Sequence, residues 1–379
     1  MTNHKITGKQ IQCILLMYWT GSLVAIAISP DSGQDSWISS LLAAVMVVPL
    51  FFLYIRLISL YPGKNLFEIL LQIFGNIFGR ILILIYVCFI IHLGSMVMKI
   101  FSSFIHILNM PETPEPAILF FVVLLSIWTA KSGPENIGRM SKYTWPILAV
   151  SVALTFVIAI KDMNFDNLKP IMGTDFKTLL NGAFTTCMLP LGEGLICLSF
   201  FSSFDLKANT TGIFFKALIL ILGVLLIVNI RNILVLGMPS ATMYYFSSYE
   251  TVGIISIGEF FTRIEVLIGL NLMLAGFIKV SVCVYSASLG LAKLLNVPDQ
   301  KPYVVPCGLL MVTISGMLYA NTVEMIEFTK IYRIYAIPFL IILPIIIWIG
   351  AEIQTKIKSI GSSSPQKKQV ETKSPPASE

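Results

Sequence analysis

Residues 181–203 read NGAFTTCMLPLGEGLICLSFFSS. The stretch is apolar over about twenty residues, the length an α-helix needs to cross a hydrocarbon layer roughly 30 Å thick. Its middle does not suit an intact helix. Leu189-Pro190-Leu191-Gly192-Glu193-Gly194 places a proline, two glycines and a carboxylate side by side. Proline lacks the amide proton that helix bonding needs, and glycine is a poor helix former. A broken span with a carboxylate at its centre predicts a membrane protein with a polar site at mid-depth.

The rest of the chain agrees. Of its 379 residues, 56% are hydrophobic and 12% charged, against about 25% charged in ordinary soluble domains. Mean hydropathy is +0.84. The apolar residues fall in blocks at 10–29, 37–60, 80–108, 116–132, 143–161, 181–203, 211–237, 259–294, 302–320 and 331–354. Ten spanning α-helices are therefore expected, because backbone polar groups in lipid must bond within their own segment. The alternating ten-residue strands of a membrane barrel are absent. The third and eighth blocks exceed a perpendicular span, so they must tilt, kink or project. The first apolar run lacks a small-residue cleavage site and reads as a mature span.

Placing the amino terminus inside leaves Lys161, Lys169, Lys177, Lys330 and Arg333 outside. Most other loop cations, among them Lys5, Lys9, Lys64, Arg139, Lys142 and Lys293, then lie inside. That is the positive-inside arrangement with both termini cytoplasmic. Residues 1–354 form the membrane domain. Residues 355–379, with Ser362, Ser363, Ser364, Pro365, Pro375 and Pro376 among lysines, read as a disordered tail. Cys13, Cys88, Cys187, Cys197 and Cys283 lie in spans and Cys307 near a span end; their spacing shows no metal or redox pattern.

Span 1 carries Tyr18-Trp19-Thr20-Gly21-Ser22 at its middle, five spans before the break at Glu193. Matching interruptions in two five-helix halves point to inverted repeats with a site between them. A close helix–helix contact is the other reading of Gly21-Ser22. Were span 1 unwound there, free amides near Ser22 would face a carboxylate. Carbonyls ending near Met188 would face an ammonium or hydroxyl. Together they favour a zwitterion such as an amino acid, with sugars and nucleosides using the same groups.

Other charges inside spans are candidates by their cost in lipid. Glu193 serves a substrate ammonium, a cation or a lysine, or is a structural salt bridge. Lys279 sits deep in span 8, where it stands in for a coupling cation or snorkels to the inner face. His92, Lys99 and His106 recur every seven residues and share a helix face with Ser95, Ser102 and Ser103. His92 and Lys99 are the ligand-binding candidates on that stripe. Asn229 and Arg231 read as marking the outer membrane interface. Arg263 and Glu265, with Glu259 one turn before Arg263, read as an anchor or gate opening span 8. No phosphate-binding loop, zinc motif or nucleophile–base arrangement is visible, so neither an enzyme nor a cofactor is expected. Nucleic-acid binding is not expected either.

The chain resembles the B subunit of bacterial spore germinant receptors, the GerAB-like spore germination permease family. The likeness covers nearly everything up to Glu352. It is carried by Gly21-Ser22, Trp37-Ile38, Phe67-Glu68-Ile69-Leu70 and Asp166-Asn167-Leu168-Lys169-Pro170-Ile171-Met172-Gly173, then by Gly192-Glu193 and Arg263-x-Glu265. The resemblance implies the amino acid–polyamine–organocation superfamily fold, LeuT-like, with two inverted five-helix repeats and helices 1 and 6 interrupted. It also implies the spore inner membrane, a membrane A subunit and a lipoprotein C subunit as partners, and a small-molecule germinant as ligand. Its ligand pocket would fall near Gly21, Ser22, Gly192, Glu193 and the middles of spans 3 and 8, and Thr20 and Gly194, next to these in the two interruptions, are further ligand-binding candidates. Related permeases often have two glycines in the first break, where Thr20-Gly21-Ser22 offers one. Two functions follow: a sensor that passes ligand binding to partner subunits, or a transporter that moves an amino acid with H⁺ or Na⁺. A purely structural scaffold conflicts with the cost of Glu193 and Lys279 in lipid.

Overall fold

The computed structural model describes residues 6–23, 30–108, 110–204, 209–244, 246–255 and 264–362. Its helices are α1 (Gly8–Leu23), α2 (Ser36–Leu60), α3 (Leu66–Leu108), α4 (Glu115–Lys131), α5 (Pro134–Ala159) and α6 (Phe176–Met188). After a 3₁₀ segment at Leu191–Ser203 come α7 (Thr210–Leu236), the short α8 (Met238–Met243) and α9 (Ser247–Ile254), α10 (Val266–Leu294) and α11 (Lys301–Met317). The described chain closes with α12 (Thr322–Ile337), a π turn at Pro338–Ile342 and α13 (Leu343–Ser362). Seven stretches are long and apolar enough to cross a membrane. The helices α1, α4 and α11 are shorter, at 16, 17 and 17 residues.

Local sequence accounts for the boundaries. A reciprocal capping box opens α3: Asn65 Oδ1 accepts from the Glu68 amide, and Glu68 Oε2 accepts from the Asn65 amide. The helix therefore begins at Leu66, well before the expected residue 80. Gly75 joins its two parts at φ 71°, a kink that only glycine takes without strain. Asp175, Asn209 and Asn321 cap α6, α7 and α12 by accepting amide protons three residues on. At the carboxyl end the helix runs to Ser362, past the expected boundary at 354, and the rest of the expected tail lies outside the described residues. The helix is tethered there: Tyr61 donates to Gln354 Oε1, and Gln354 Nε2 donates to the Gln72 carbonyl.

Two surroundings position the site. From Ile14 through Thr20, α1 is buried on every side at 0–1% exposure, so it is a central helix rather than a surface one. It packs against α5, α7, α10 and the 3₁₀ segment, and α10 packs along α3. At one end of the bundle, the Ile6 amide donates to the Ser203 carbonyl, joining the approach to α1 to the end of the 3₁₀ segment. At the other end, the buried Asp35 carboxylate accepts the amides of Met172 and Thr174. Asn167 Nδ2 donates to the Leu234 carbonyl in the same region. The Asp166–Gly173 stretch is thus a clasp between the α1–α2 connection, α6 and the end of α7.

Candidate functional site

The interruption in the sixth span falls at Leu189-Pro190. The α-helix stops at Met188, and the chain resumes at Leu191 as a tighter 3₁₀ helix of 13 residues, far longer than the usual three or four. This turn carries Glu193 into the middle of the bundle, where its side chain is fully buried. One carboxylate oxygen, Oε2, lies 2.5 Å from the Lys279 ammonium of α10. The other, Oε1, accepts from the Tyr332 hydroxyl of α12 at 2.7 Å. Lys279 also donates to Ser22 Oγ of α1, and its ammonium sits 4.6 Å from the centre of the Tyr18 ring. A buried carboxylate with both oxygens engaged and an ammonium set against an aromatic face meet the demand that internal charges be paired and hydrogen-bonded.

The first span is not interrupted where expected. Thr20, Gly21 and Ser22 are helical and α1 continues to Leu23, while residues 24–29 lie outside the described residues. Gly21 serves the other reading. A Cβ there would lie 2.9 Å from both the Ala275 carbonyl oxygen and Lys279 Cβ. The missing side chain lets α1 and α10 approach closely enough for Ser22 to reach the Lys279 ammonium. Thr20 turns its hydroxyl onto the Leu16 carbonyl of its own helix.

The structure brings Ser22, Glu193 and Lys279 into contact and sets Gly21 against the lysine stem. Gly194 packs on the Trp19 indole, and the Gly192 carbonyl accepts from Tyr54. The Gly192 carbonyl is therefore satisfied by the protein. His92 is one layer away: its ring meets Tyr335 edge-on at 5.2 Å, and Tyr335 lies 5.9 Å from Tyr332. Lys99 is engaged elsewhere. It pairs with Glu115 of α4 at 2.8 Å, and Ser102 and Ser103 donate to the same carboxylate. Glu265 sits at the start of α10, and Arg263 and Glu259 lie outside the described residues. Asn229 and Arg231 are 5% and 0% exposed, enclosed by packing of α7 with α2, α5 and α9. Among the described residues, no group of three His, Cys, Asp or Glu side chains is placed to hold a metal ion.

A family model for spore germination proteins matches residues 5–325. The chain belongs to that family. Spore germination protein KB of Bacillus subtilis (strain 168) is 23% identical over 374 residues, covering 97% of this chain and all of that protein. The putative spore germination protein YfkT of the same organism is 27% identical over 324 residues, covering 84% and 87%. Two solved transporters share the fold. A substrate-bound, outward-open Na⁺-coupled sialic acid symporter superposes with TM-score 0.67 at 11% identity, covering 87% of this chain and 76% of the symporter. Mhp1, a nucleobase-cation-symport-1 family transporter in a closed conformation with bromovinylhydantoin bound, gives 0.57 at 13%, covering 88% and 76%. This spore germination protein is thus a B-subunit-type permease with a LeuT-like transporter fold, and it is an integral membrane protein.

Three participants in the germination protein's centre escape sequence reasoning. Tyr332 lies in the last span, and only the folded bundle sets it against Glu193. Tyr18 stands in the quoted span 1 stretch with no role that the sequence assigns. Tyr54, which holds the Gly192 carbonyl, carries no signal beyond being a polar tip in an apolar span.

Proposed function

We propose that this chain is the membrane subunit of a nutrient-germinant receptor. It binds a small polar germinant, an amino acid, at mid-membrane and passes the change to a membrane A subunit and a lipoprotein C subunit. In this reading the chain has ten spans in two inverted five-helix repeats. It sits in the spore inner membrane with both termini cytoplasmic. The observation that carries the reading is the fully buried Glu193–Lys279 pair at the junction of α1, α10, α12 and the broken sixth span.

The chemistry selects the ligand class. A zwitterion inserted between the two groups satisfies both: its ammonium takes Glu193 and its carboxylate takes Lys279 and Ser22. A neutral ligand that parted the pair would leave two buried charges without partners. The centre therefore has two arrangements, closed on itself or bridged by ligand. A ligand shifts the balance between them by its difference in affinity for the two. Lys279 also supplies a fixed cation, so removal of sodium leaves ligand binding unchanged.

The second reading is a transporter that moves an amino acid with H⁺ or Na⁺, favoured by the symporters that share the fold. Binding and uptake of labelled amino acids by the purified protein in liposomes, with and without an ion gradient, separates the two. The sensor shows saturable binding without gradient-driven accumulation. Concentrative uptake overturns it in favour of transport.

A further inference from the structure

A cavity of about 720 Å³ opens at one end of the bundle and shares no residue with the Glu193–Lys279 centre. Two connections between spans wall it. Lys64 lies between α2 and α3, and Asn296 and Pro298 lie between α10 and α11. Glu68 and Gln72 of α3 and Lys293 of α10 complete its polar lining. This places the cavity at the membrane surface. Beyond Gly75, α3 already has residues enough to cross a hydrocarbon layer of roughly 30 Å at about 1.5 Å per residue. Residues 66–74 are left for the surface, and they fold back onto the long part of the helix. A Cβ at Gly79 would lie 2.9 Å from the Leu70 carbonyl oxygen.

Both walls are held in place. Glu68 is fixed by its capping box with Asn65, and its other oxygen, Oε1, pairs with Lys293 at 2.7 Å, joining α3 to α10. Gln72 accepts from Lys64 through its side chain and from Gln354 through its carbonyl. On the opposite wall, α10 ends with Asn296 in the left-handed region at φ 57°. The Asn296 amide returns to the Lys293 carbonyl, and the Val297 amide to the Ala292 carbonyl at 2.8 Å, which locks the turn. Solvent reaches the paired Lys293 and Glu68, each at 30% exposure. Two lysines against one glutamate leave the lining with one positive charge in excess.

An ammonium group has three N–H donors, and the bonds above use one from each lysine. A phosphate has oxygens enough to bridge two ammonium groups and the amides of Gln72 and Asn296 together. Basic pockets between spans at a membrane surface take phosphate headgroups. The volume falls within the range of about 300–1,000 Å³ usual for small-molecule sites, so it holds a phosphate and the organic group esterified to it. We infer that this cavity is a binding site for a phosphate group, carried by an anionic phospholipid headgroup or by a soluble phosphate. Lys64 and Lys293 hold the phosphate, Gln72 and Asn296 orient it, and Glu68 competes with it for Lys293. Bound there, it ties the α2–α3 connection to the α10–α11 connection. The site does not rest on the germinant reading.

The test is thermal unfolding of the full-length purified protein in a neutral detergent at constant ionic strength. In one series phosphatidylglycerol, which is anionic, replaces phosphatidylcholine, which is not, at constant total lipid. In the other, inorganic phosphate replaces chloride. The expected result is a saturable rise in the unfolding midpoint in at least one series. Lys64→Gln keeps a donor for Gln72 but loses the charge, and needs about tenfold more ligand for half-saturation, equivalent to about 1.4 kcal/mol. Glu68→Gln keeps the cap on α3 but removes the competing carboxylate, and lowers the half-saturation. A rise with phosphatidylglycerol alone identifies a lipid headgroup, and a rise with inorganic phosphate identifies a soluble ligand; both uphold the site. A flat midpoint in both series overturns it, as does a half-saturation that Lys64→Gln leaves unchanged or that Glu68→Gln fails to lower. If Glu68→Gln does not fold, Lys64→Gln decides alone.

Discussion

The Lys279–Glu193 pair has both side chains at 0% exposure, whereas the Lys99–Glu115 pair has them at 12% and 24%. Both join a lysine of one helical segment to a glutamate of another. At the bundle's end, Glu115 accepts from Ser102 and Ser103 as well as Lys99, and solvent reaches both charges. Each partner retains an alternative there, so the pair fastens α3 to α4 and is replaceable. At the centre both side chains are enclosed. Among the described residues, Glu193 is satisfied by Lys279 and Tyr332, and Lys279 by Glu193, Ser22 and the Tyr18 ring. Burial raises the cost of parting the same two groups, and under the proposed function they part only when something of opposite sign takes each side.

The largest expected effect follows from parting them by mutation. Lys279→Met leaves Glu193 buried and unpaired, at a cost of about 3–5 kcal/mol. Adding Glu193→Gln removes the stranded charge while keeping an acceptor for Tyr332, and should restore most of the unfolding midpoint. A double variant as unstable as the single one breaks the comparison. Next is Gly21→Leu, which forces a side chain into the 2.9 Å gap against Ala275 and Lys279. Overpacking of this kind costs about 1–3 kcal/mol, and parting α1 from α10 should abolish ligand binding. Unchanged binding would mean that this close approach is dispensable.

Lys99→Met should cost under about 1 kcal/mol, as solvent-accessible ion pairs do. A loss equal to that of Lys279→Met, measured by the same unfolding scan, would erase the distinction between the two regions. The smallest effect is expected at the solvated start of α6. The Thr178 hydroxyl and amide hold the Asp175 carboxyl below its usual range. Its capping stability is therefore present above an ordinary aspartate value of about 3.9 and is lost as pH falls through the lowered one. Asp175→Asn should differ slightly from the parent at neutral pH, and a pH series of unfolding midpoints should bring the two together in acid.

The break in span 6 was legible because its cause is local: a proline and two glycines cannot sustain regular helix bonding wherever they are placed. Span 1 shows the limit of the same logic. Gly21-Ser22 is compatible with unwinding and with close packing, and the nearby α10 backbone decides for packing. The polar stripe on α3 was legible as a shared face. Its division into Lys99 facing Glu115 and His92 facing Tyr335 was not, since that depends on which helices lie opposite. The enclosure of Arg231 was not legible for a related reason: five residues from a helix end, an arginine can reach water unless neighbouring elements fold over it.

Apolar length, charge distribution and helix-breaking residues are properties of neighbouring residues along the chain. They settle the membrane class, the helical architecture and the presence of costly charges at Glu193 and Lys279. What faces those charges is a property of distant residues. Ser22, Glu193, Lys279 and Tyr332 come from spans scattered across the chain and meet only because packing encloses them together. Until the bundle closes, a buried lysine and a buried glutamate are two separate costs, and the tertiary structure alone makes them one pair.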